Sequence, residues 1–323
     1  MALENDPAVA DSLPPSRLDL YSLSKLEYLL GVPRQKLRVI AANAGAYYEP
    51  FPKKDKRRPF QKKFKPAKKR VIDNPTGELK AVQSKINSNL LKPIVLPYYL
   101  CGGVKGKTIL DNVALHFGAA ELVTMDIKSF FPSISNVQVY GVWSKVLNCS
   151  PLISEVLTKL TTFERHLPQG APTSTLLANL VLFSVDGPIR TECAQQGVQY
   201  STWVDDLVLS GANARSVINL AVGILGKAGF KISHRKMKIM GGGTRKVLNG
   251  VLLGRFPSVL PDRLSQLRSG IHKLRTNQIV PSEIEEYVRS LEGRISQVAN
   301  IVPQKGKKLR DDLEEAKKQI HKS

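Results

Sequence analysis

The segment Tyr200–Ser210 (YSTWVDDLVLS) alternates apolar and polar residues on both sides of a carboxylate pair. Alternation with period two marks a strand with one buried face. Two such runs meeting at an acidic pair read as a hairpin with Asp205 and Asp206 at its tip. This constrains the fold more than any other stretch, because the strands must enter a buried sheet while the acids stand at its edge.

The flanking segments supply the rest of that sheet. Leu122 to Ile127 alternates as a strand, ends in Asp126 and runs into Phe130-Phe131-Pro132. Ser135 with Gln138 forms a capping box that opens a helix to about Leu147. Ser150-Pro151 opens a second helix with Ser as N-cap, and Pro172 to about Gln195 reads as a long helix kinked at Gly187-Pro188. After the hairpin a helix is expected from about Asn213 to Ala228, stopped by Gly229. Short strands follow near Lys231–Ile232 and Met237–Met240, then a Gly241-Gly242-Gly243 turn and a strand over Val247–Leu252. The order strand, helices, hairpin, helix, strand is that of a βαββαβ split sheet with helices on one face, an α+β class.

Upstream, residues 1–18 read as disordered, and Leu23 to Ala42 as two short helices around Gly31-Val32-Pro33. Val71-Ile72 reads as a strand ending in an Asn74-Pro75-Thr76-Gly77 turn, and Leu79 to Leu91 has helical periodicity. From Pro261 onward the chain is helical and rich in charge, which suggests a separate C-terminal helical domain.

Charge identifies the kind of partner. The 323 residues carry 48 Lys+Arg against 27 Asp+Glu, a formal net charge of +21. A balance this basic points to a polyanion. Lys53 to Arg70 alone (KKDKRRPFQKKFKPAKKR) holds eleven basic residues and one acid, and Pro59 and Pro66 keep it extended or looped. Phe230 to Lys246 adds six Lys/Arg and no acid. Neither run lies on an amphipathic helix, so a phosphate backbone is favoured over an anionic membrane. No apolar run reaches the roughly 20 residues of a membrane span. The polar, acidic N-terminus does not fit a signal peptide. Cys101, Cys149 and Cys193 offer neither a disulfide framework nor a CxxC zinc site, which fits a reducing cytoplasm.

The acids point to chemistry. Asp126 lies at a strand end and Asp205-Asp206 at a hairpin tip 79 residues later. In a split sheet the first strand and the hairpin are neighbours, so three carboxylates converge on one edge. They repel one another unless cations sit between them. Mg²⁺ takes a few carboxylates together with substrate phosphates, and two such ions can activate a 3′-hydroxyl and stabilise a leaving pyrophosphate. The alternative is an acidic strand end followed by an unrelated Asp-Asp turn. The residues between weigh against it: Leu167-Pro168-Gln169-Gly170-Ala171-Pro172-Thr173-Ser174 is a tight turn feeding the long helix, with a Gln amide and helix-start N–H groups for a nucleotide. Lys236 follows in the second basic stretch, where a lysine can neutralise or protonate a leaving pyrophosphate.

Taken in order, these segments resemble the reverse transcriptase family. Asp126-Ile127-Lys128-Ser129-Phe130-Phe131 resembles its first catalytic motif, LPQGAPTS its nucleotide-pocket motif, and Trp203-Val204-Asp205-Asp206 its xxDD hairpin. Gly229-Phe230-Lys231 running to Lys236 resembles the lysine motif, and Lys69-Arg70 with Pro75 and Leu79–Gln83 the fingers motif. Gly102-Gly103 with Asn112-Val113-Ala114-Leu115-His116 resembles an element of bacterial retron enzymes, with Val113 in place of Ala. Trp203 stands where Tyr is usual, Thr175 where Pro is common, and Leu248-Asn249-Gly250 where retron enzymes carry Val-Thr-Gly.

The resemblance implies a right-hand polymerase: an N-terminal helical extension at 1–45, fingers and a βαββαβ palm at 46–258, and a helical thumb at 259–323. It implies that Asp126, Asp205 and Asp206, with the Ile127 carbonyl, hold two Mg²⁺ ions. Lys69, Arg70, Phe131, Gln169 and Lys236 would bind the incoming dNTP, although Phe131 also reads as a plain core residue. Asn112, His116, Arg263, Arg268, Lys273 and Arg275 would contact RNA, with a buried, hydrogen-bonded His116 equally open. The implied partners are a cognate noncoding RNA (msr-msd), its branched DNA product, dNTPs and a separate effector protein of phage defence, with no membrane. Another defence-associated or group II intron-like reverse transcriptase, or a non-catalytic RNA-binding scaffold, stands as the alternative.

Overall fold

The computed structural model describes residues 14–54, 69–254 and 256–320. The basic run therefore lies outside the described residues from 55 to 68, as do residues 1–13 of the segment expected to be disordered. The chain divides into two units. The first takes the residues up to Thr108 together with Val123–Ile239, and the second takes Ile109–Leu122 together with Met240 onward.

In the first unit, helices α1 (Leu23–Leu30) and α2 (Arg34–Ala42) bury Leu26, Leu30, Leu37 and Ile40, as their helical spacing requires. Ser22 caps α1 by accepting from the Lys25 N–H, and Gly31 ends it in the left-handed conformation (φ 55°). The approach to α1 is ordered, contrary to the expectation for residues 14–18. Ser16 N–H donates to the Val95 carbonyl at 3.4 Å and Leu18 N–H to that of Leu147 at 3.0 Å, and Leu20 is buried. Those partners are remote in sequence, so local polarity gave no sign of them.

Strand β1 (Tyr48–Lys54) pairs antiparallel with β2 (Lys69–Pro75), from Tyr48 opposite Pro75 to Lys54 opposite Lys69. The turn expected at 74–77 is instead the end of that ladder. Asn74 and Pro75 stay in the strand, and Thr76 starts helix α3 (Gly77–Ile86) while its N–H and hydroxyl both donate to the Tyr47 carbonyl.

The short helix α4 (Ile109–Ala114) belongs to the second unit. Strand β3 (Glu121–Asp126) leads to α5 (Phe130–Ser133) and α6 (Asn136–Gly141), whose Ser135–Gln138 capping box forms as the sequence indicates. Helix α7 (Pro151–Thr161) starts at its proline, but the Ser150 hydroxyl donates to the Tyr21 carbonyl rather than capping the helix. The long apolar helix is two, α8 (Ser174–Val185) and α9 (Gly187–Gln195), broken at a buried Asp186.

Strands β4 (Gln199–Trp203) and β5 (Asp206–Gly211) form the hairpin. Helix α10 (Ile218–Lys227) begins later than expected, because Asn213–Val217 makes hydrogen-bonded turns. With β6 (Lys238–Met240) the sheet has the order β4-β5-β3-β6. Each strand of the split βαββαβ pattern is in its place, with β3 between the hairpin and the last strand. Leu100 adds a parallel bridge to Thr202 on the outer side of β4.

The second unit holds three antiparallel strands, β7 (Lys246–Leu248), β8 (Val251–Leu253) and β9 (Pro257–Val259). The single strand expected over Val247–Leu252 is a hairpin. Asn249 (φ 50°) and Gly250 (φ 80°) both adopt the positive φ of a two-residue type I′ turn. Helices α11 (Pro261–Arg275), α12 (Ile284–Ile301) and α13 (Pro303–Ile320) bury Leu267, Ile271, Leu291, Ile295, Leu309 and Leu313 as a separate core. Gly306 lets the start of α13 lie against Ala299 of α12, where a Cβ would overlap it. Among the described residues, no helix is long and apolar enough to cross a membrane.

Candidate active site

Sheet order brings the acids together. Asp126 is the last residue of β3, and Ile127 N–H, one residue on, donates to the Asp205 carbonyl at 2.9 Å. The hairpin turns in two residues, Val204 and Asp205, with Trp203 opposite Asp206. Val204 has φ 60°, a conformation normally left to glycine in such turns and costly for a β-branched residue. Strain of this kind persists only where surrounding contacts over-determine it. Gly102 is one of them: a Cβ there would stand 2.6 Å from Val204 Cγ2 and 2.8 Å from the Trp203 carbonyl carbon. The Gly102 carbonyl in turn accepts from Asn179 Nδ2 of α8 at 2.8 Å.

The electrostatics match the crowding. Burial first, then the neighbouring charges of Asp205 and Asp126, push the Asp206 carboxyl up to about 6, against the opposing pull of Lys236 and Lys238. Burial likewise raises Asp205, and Asp126 adds to the shift, while Lys236 and Arg70 act to lower it. Arg70, exposed on β2, thus lies within electrostatic reach of Asp205. The Lys236 ammonium pairs with Asp126 Oδ2. Lys236 sits in the turn after Ser233, whose N–H donates to the Asp126 carbonyl at 2.8 Å. Like charges held by fixed backbone are what a divalent cation relieves. Among the described residues, no three Asp, Glu, His or Cys side chains form a metal centre by themselves. The acids offer a few hard oxygens and leave the remaining positions to substrate, a donor set that fits Mg²⁺.

The nucleotide-pocket candidates lie in the same unit. Phe131, half-buried, tilts against Phe130, which tilts against Phe230, each pair with centroids 5.7 Å apart. Gln169, half-buried, lies in a loop closed by the Ser174 hydroxyl donating to the Pro168 carbonyl at 2.6 Å. That loop rests on β2: Gln169 N–H donates to Asp73 Oδ2 at 3.0 Å, and Asp73 N–H donates to the Gln169 carbonyl at 2.9 Å. Lys69 belongs to β2 beside Arg70. Asp73 escaped the sequence reading, and Gly102 and Val204 stand there only as members of motifs, without the close packing and positive φ that join them.

The RNA-contact candidates lie elsewhere. Asn112 and His116 are both buried, and burial holds the His116 imidazole down to about 4, so it is neutral at pH 7. On α11, Arg263 bonds to Gln297 and Arg275 pairs with Glu315 at 3.5 Å. Lys273 is half-buried on the same helix. Arg268 lines an open groove of about 630 Å³ with His272, Lys305, Ser265 and Ser269 over Leu252, Val259 and Leu264.

A split sheet presenting clustered carboxylates, a lysine and a glutamine loop has the organisation of a template-directed polynucleotide polymerase. The family model for reverse transcriptase (RNA-dependent DNA polymerase) matches residues 51–268. The retron Ec86 reverse transcriptase of Escherichia coli is 31% identical over 229 residues, 70% of this chain and 71% of that one. The retron Se72 enzyme of Salmonella heidelberg (strain 579083-10) is 30% identical, over 68% of this chain and 57% of that one. The retron Mx162 enzyme of Myxococcus xanthus is 26% identical, over 92% and 67%. Apo telomerase from Candida tropicalis has a TM-score of 0.35 at 10% identity over 45% of this chain and 35% of that one, too slight a likeness to bear on the fold. The chain belongs to the reverse transcriptase family, as an RNA-directed DNA polymerase of the retron type.

Proposed function

We propose that the protein copies part of a cognate structured noncoding RNA (msr-msd) into DNA, starting from a 2′-hydroxyl of that RNA to give a branched RNA–DNA product (msDNA). The setting is phage defence with a separate effector protein, in the cytoplasm. Residues 46–258 act as fingers and palm, 259–323 as the thumb and 1–45 as an extension. The observation that carries the catalytic part is the hydrogen bond from Ile127 to Asp205, which fixes Asp126 beside the Asp205-Asp206 tip.

In this reading Asp126, Asp205, Asp206 and the Ile127 carbonyl hold two Mg²⁺ ions. When bound, the ions supply charge neutralisation at the triphosphate and lower the pKa of the attacking hydroxyl. Arg70, with Lys69, grips the triphosphate from β2. Gln169 touches the sugar of the incoming nucleotide, and Phe131 packs beneath it, where a 2′-hydroxyl would clash. Lys236 exchanges its pairing with Asp126 for the leaving pyrophosphate and can deliver a proton to it.

Primer extension with purified protein, Mg²⁺ and dNTPs tests the site: the Asp205→Asn Asp206→Asn variant is expected to lose extension, and full activity would refute the assignment. Sequencing the copurifying nucleic acid tests the rest. A short DNA joined to a structured RNA is expected, whereas a long intron-derived product would place the enzyme with group II intron-like relatives. Salt-sensitive RNA binding with no synthesis would leave a scaffold.

A further inference from the structure

Asp73 is an acid that the chemistry above does not use. Its residue is 6% exposed, and its carboxyl faces two donors from one loop: Gln169 N–H at 3.0 Å and His166 Nε2 at 3.2 Å, both to Oδ2. The Asp73 N–H reaches back to the Gln169 carbonyl at 2.9 Å. Gln169 therefore has both of its backbone groups tied to a single residue of β2. Arg70 lies three positions earlier on that strand.

The loop is held close as well as bonded. Gly170 adopts φ 127°, and a Cβ there would stand 2.7 Å from Ile72 Cγ2, so only glycine lets the loop lie on the strand. On its far side the loop is anchored independently: Leu167 N–H donates to the Ile134 carbonyl at 2.9 Å, and the Ser174 hydroxyl donates to that of Pro168. The loop would therefore keep its fold without Asp73. What it would lose is its tie to the strand carrying Arg70.

We propose that Asp73 is a positioning residue that latches the Gln169 loop to β2, so that the sugar-side and phosphate-side contacts of the incoming nucleotide form one rigid pocket. This rests on the reading of Arg70 and Gln169 as nucleotide contacts. Without the latch both groups remain, but the nucleotide must order them relative to each other on binding, which costs affinity before it costs chemistry. The signature is a KM effect.

Steady-state incorporation on an RNA template, with full-length protein, tests this. Asp73→Ala is expected to raise the dNTP KM about 10-fold while changing kcat less than about 3-fold. Asp73→Asn keeps an oxygen acceptor for the Gln169 N–H and is expected to restore the KM to within about 3-fold of the parent. Gly170→Ala, which lifts the same loop off Ile72 while leaving the Asp73 carboxylate in place, is expected to give the same KM rise, and it decides the matter if Asp73→Ala fails to fold. Gln169→Ala separates the two readings. It should raise the KM in the parent and add less than about 3-fold in the Asp73→Ala background. An unchanged KM in Gln169→Ala sinks the pocket reading itself. A raised KM there with parental KM in Asp73→Ala or Gly170→Ala, or a KM in Asp73→Asn as high as in Asp73→Ala, overturns the latch alone.

Discussion

Ile127 and Asp205 are joined by one backbone hydrogen bond of 2.9 Å that spans the gap between the end of β3 and the tip of the β4–β5 hairpin. Because the bond is between backbones, the acids on either side of it cannot relieve their repulsion by moving the strands apart. Burial first, and the neighbouring charges of Asp205 and Asp126 in addition, raise the Asp206 carboxyl to about 6, while Lys236 pairs with Asp126. The clustered acids thus favour positive charge beside them, and in the structure Lys236 supplies it at Asp126.

Lys236→Met follows from this arrangement. Removing the ammonium frees Asp126 and takes away a proton donor to pyrophosphate, a loss on the order of 10²-fold in kcat. The same change removes a competitor for Asp126, so half-maximal activity is expected at a lower Mg²⁺ concentration than in the parent. Single-nucleotide incorporation across a Mg²⁺ titration checks both. Parental kcat with parental Mg²⁺ dependence would leave Lys236 a surface residue.

Gly102→Ala tests the support behind the strained turn. The added methyl would meet Val204 and the Trp203 carbonyl carbon, which the Asn179 bond to Gly102 prevents from yielding freely. Overpacking of this kind costs about 1–3 kcal/mol. Here it displaces the loop that holds Asp205, so activity is expected to fall by at least about 10-fold in a protein that still melts cooperatively. Gly106→Ala is the control: that glycine has φ 81°, and a Cβ there meets nothing within 4 Å. It bears only the backbone penalty and should keep its activity.

How much of this was legible in the sequence depends on the range of the interaction. The hairpin tip, the strand-end position of Asp126 and the Ser135–Gln138 box are set by residues a few positions apart, and they read directly. The Asp73 latch joins residues 93 and 96 positions apart, and nothing local to the short strand announced it. The β7–β8 hairpin is a different case. Its signal, Asn249-Gly250 between apolar residues, is local and visible, but the apolar run Val247–Leu252 reads as one strand unless turn chemistry takes precedence over the run.

Asp186 predicts a pH dependence of stability remote from the acids at the hairpin tip. It is fully buried at the break between α8 and α9, accepting from Arg190 Nε at 2.9 Å, Tyr99 OH at 3.2 Å and Tyr200 OH at 3.3 Å, with Cys193 also near Tyr200. Burial raises its carboxyl to about 7, against the opposing pull of Arg190 and the tyrosines. The folded state therefore holds this proton more tightly than the unfolded chain, whose carboxyl titrates near 4. The resulting stabilisation is complete below that pH and is lost as pH rises toward 7, at up to about 1.4 kcal/mol per pH unit. Asp186→Asn has no proton to lose. Thermal melts between pH 5 and 8 should show a shallower decline for this variant than for the parent, and parallel curves would place the ionisation elsewhere.

The second unit separates paired from unpaired cations. Arg275 is engaged by Glu315, and Lys317 by Glu292 and Glu314. Arg268 and Lys305 share the groove between β8–β9 and α11 and, among the described residues, make no ion pair with an acid. A cation without an acid is free to neutralise a phosphate and release its counterion, whereas a paired one must first give up its partner. The double variant Arg268→Ala Lys305→Ala should therefore weaken RNA binding and reduce the slope of log affinity against log salt by about 1.4, taking about 0.7 per single-stranded phosphate. Arg275→Ala should leave the slope nearly unchanged. Filter binding of a structured RNA from 50 to 300 mM salt, roughly the range over which such contacts are screened, distinguishes them. Equal slopes for the double variant and the parent would mean that the groove carries no phosphate.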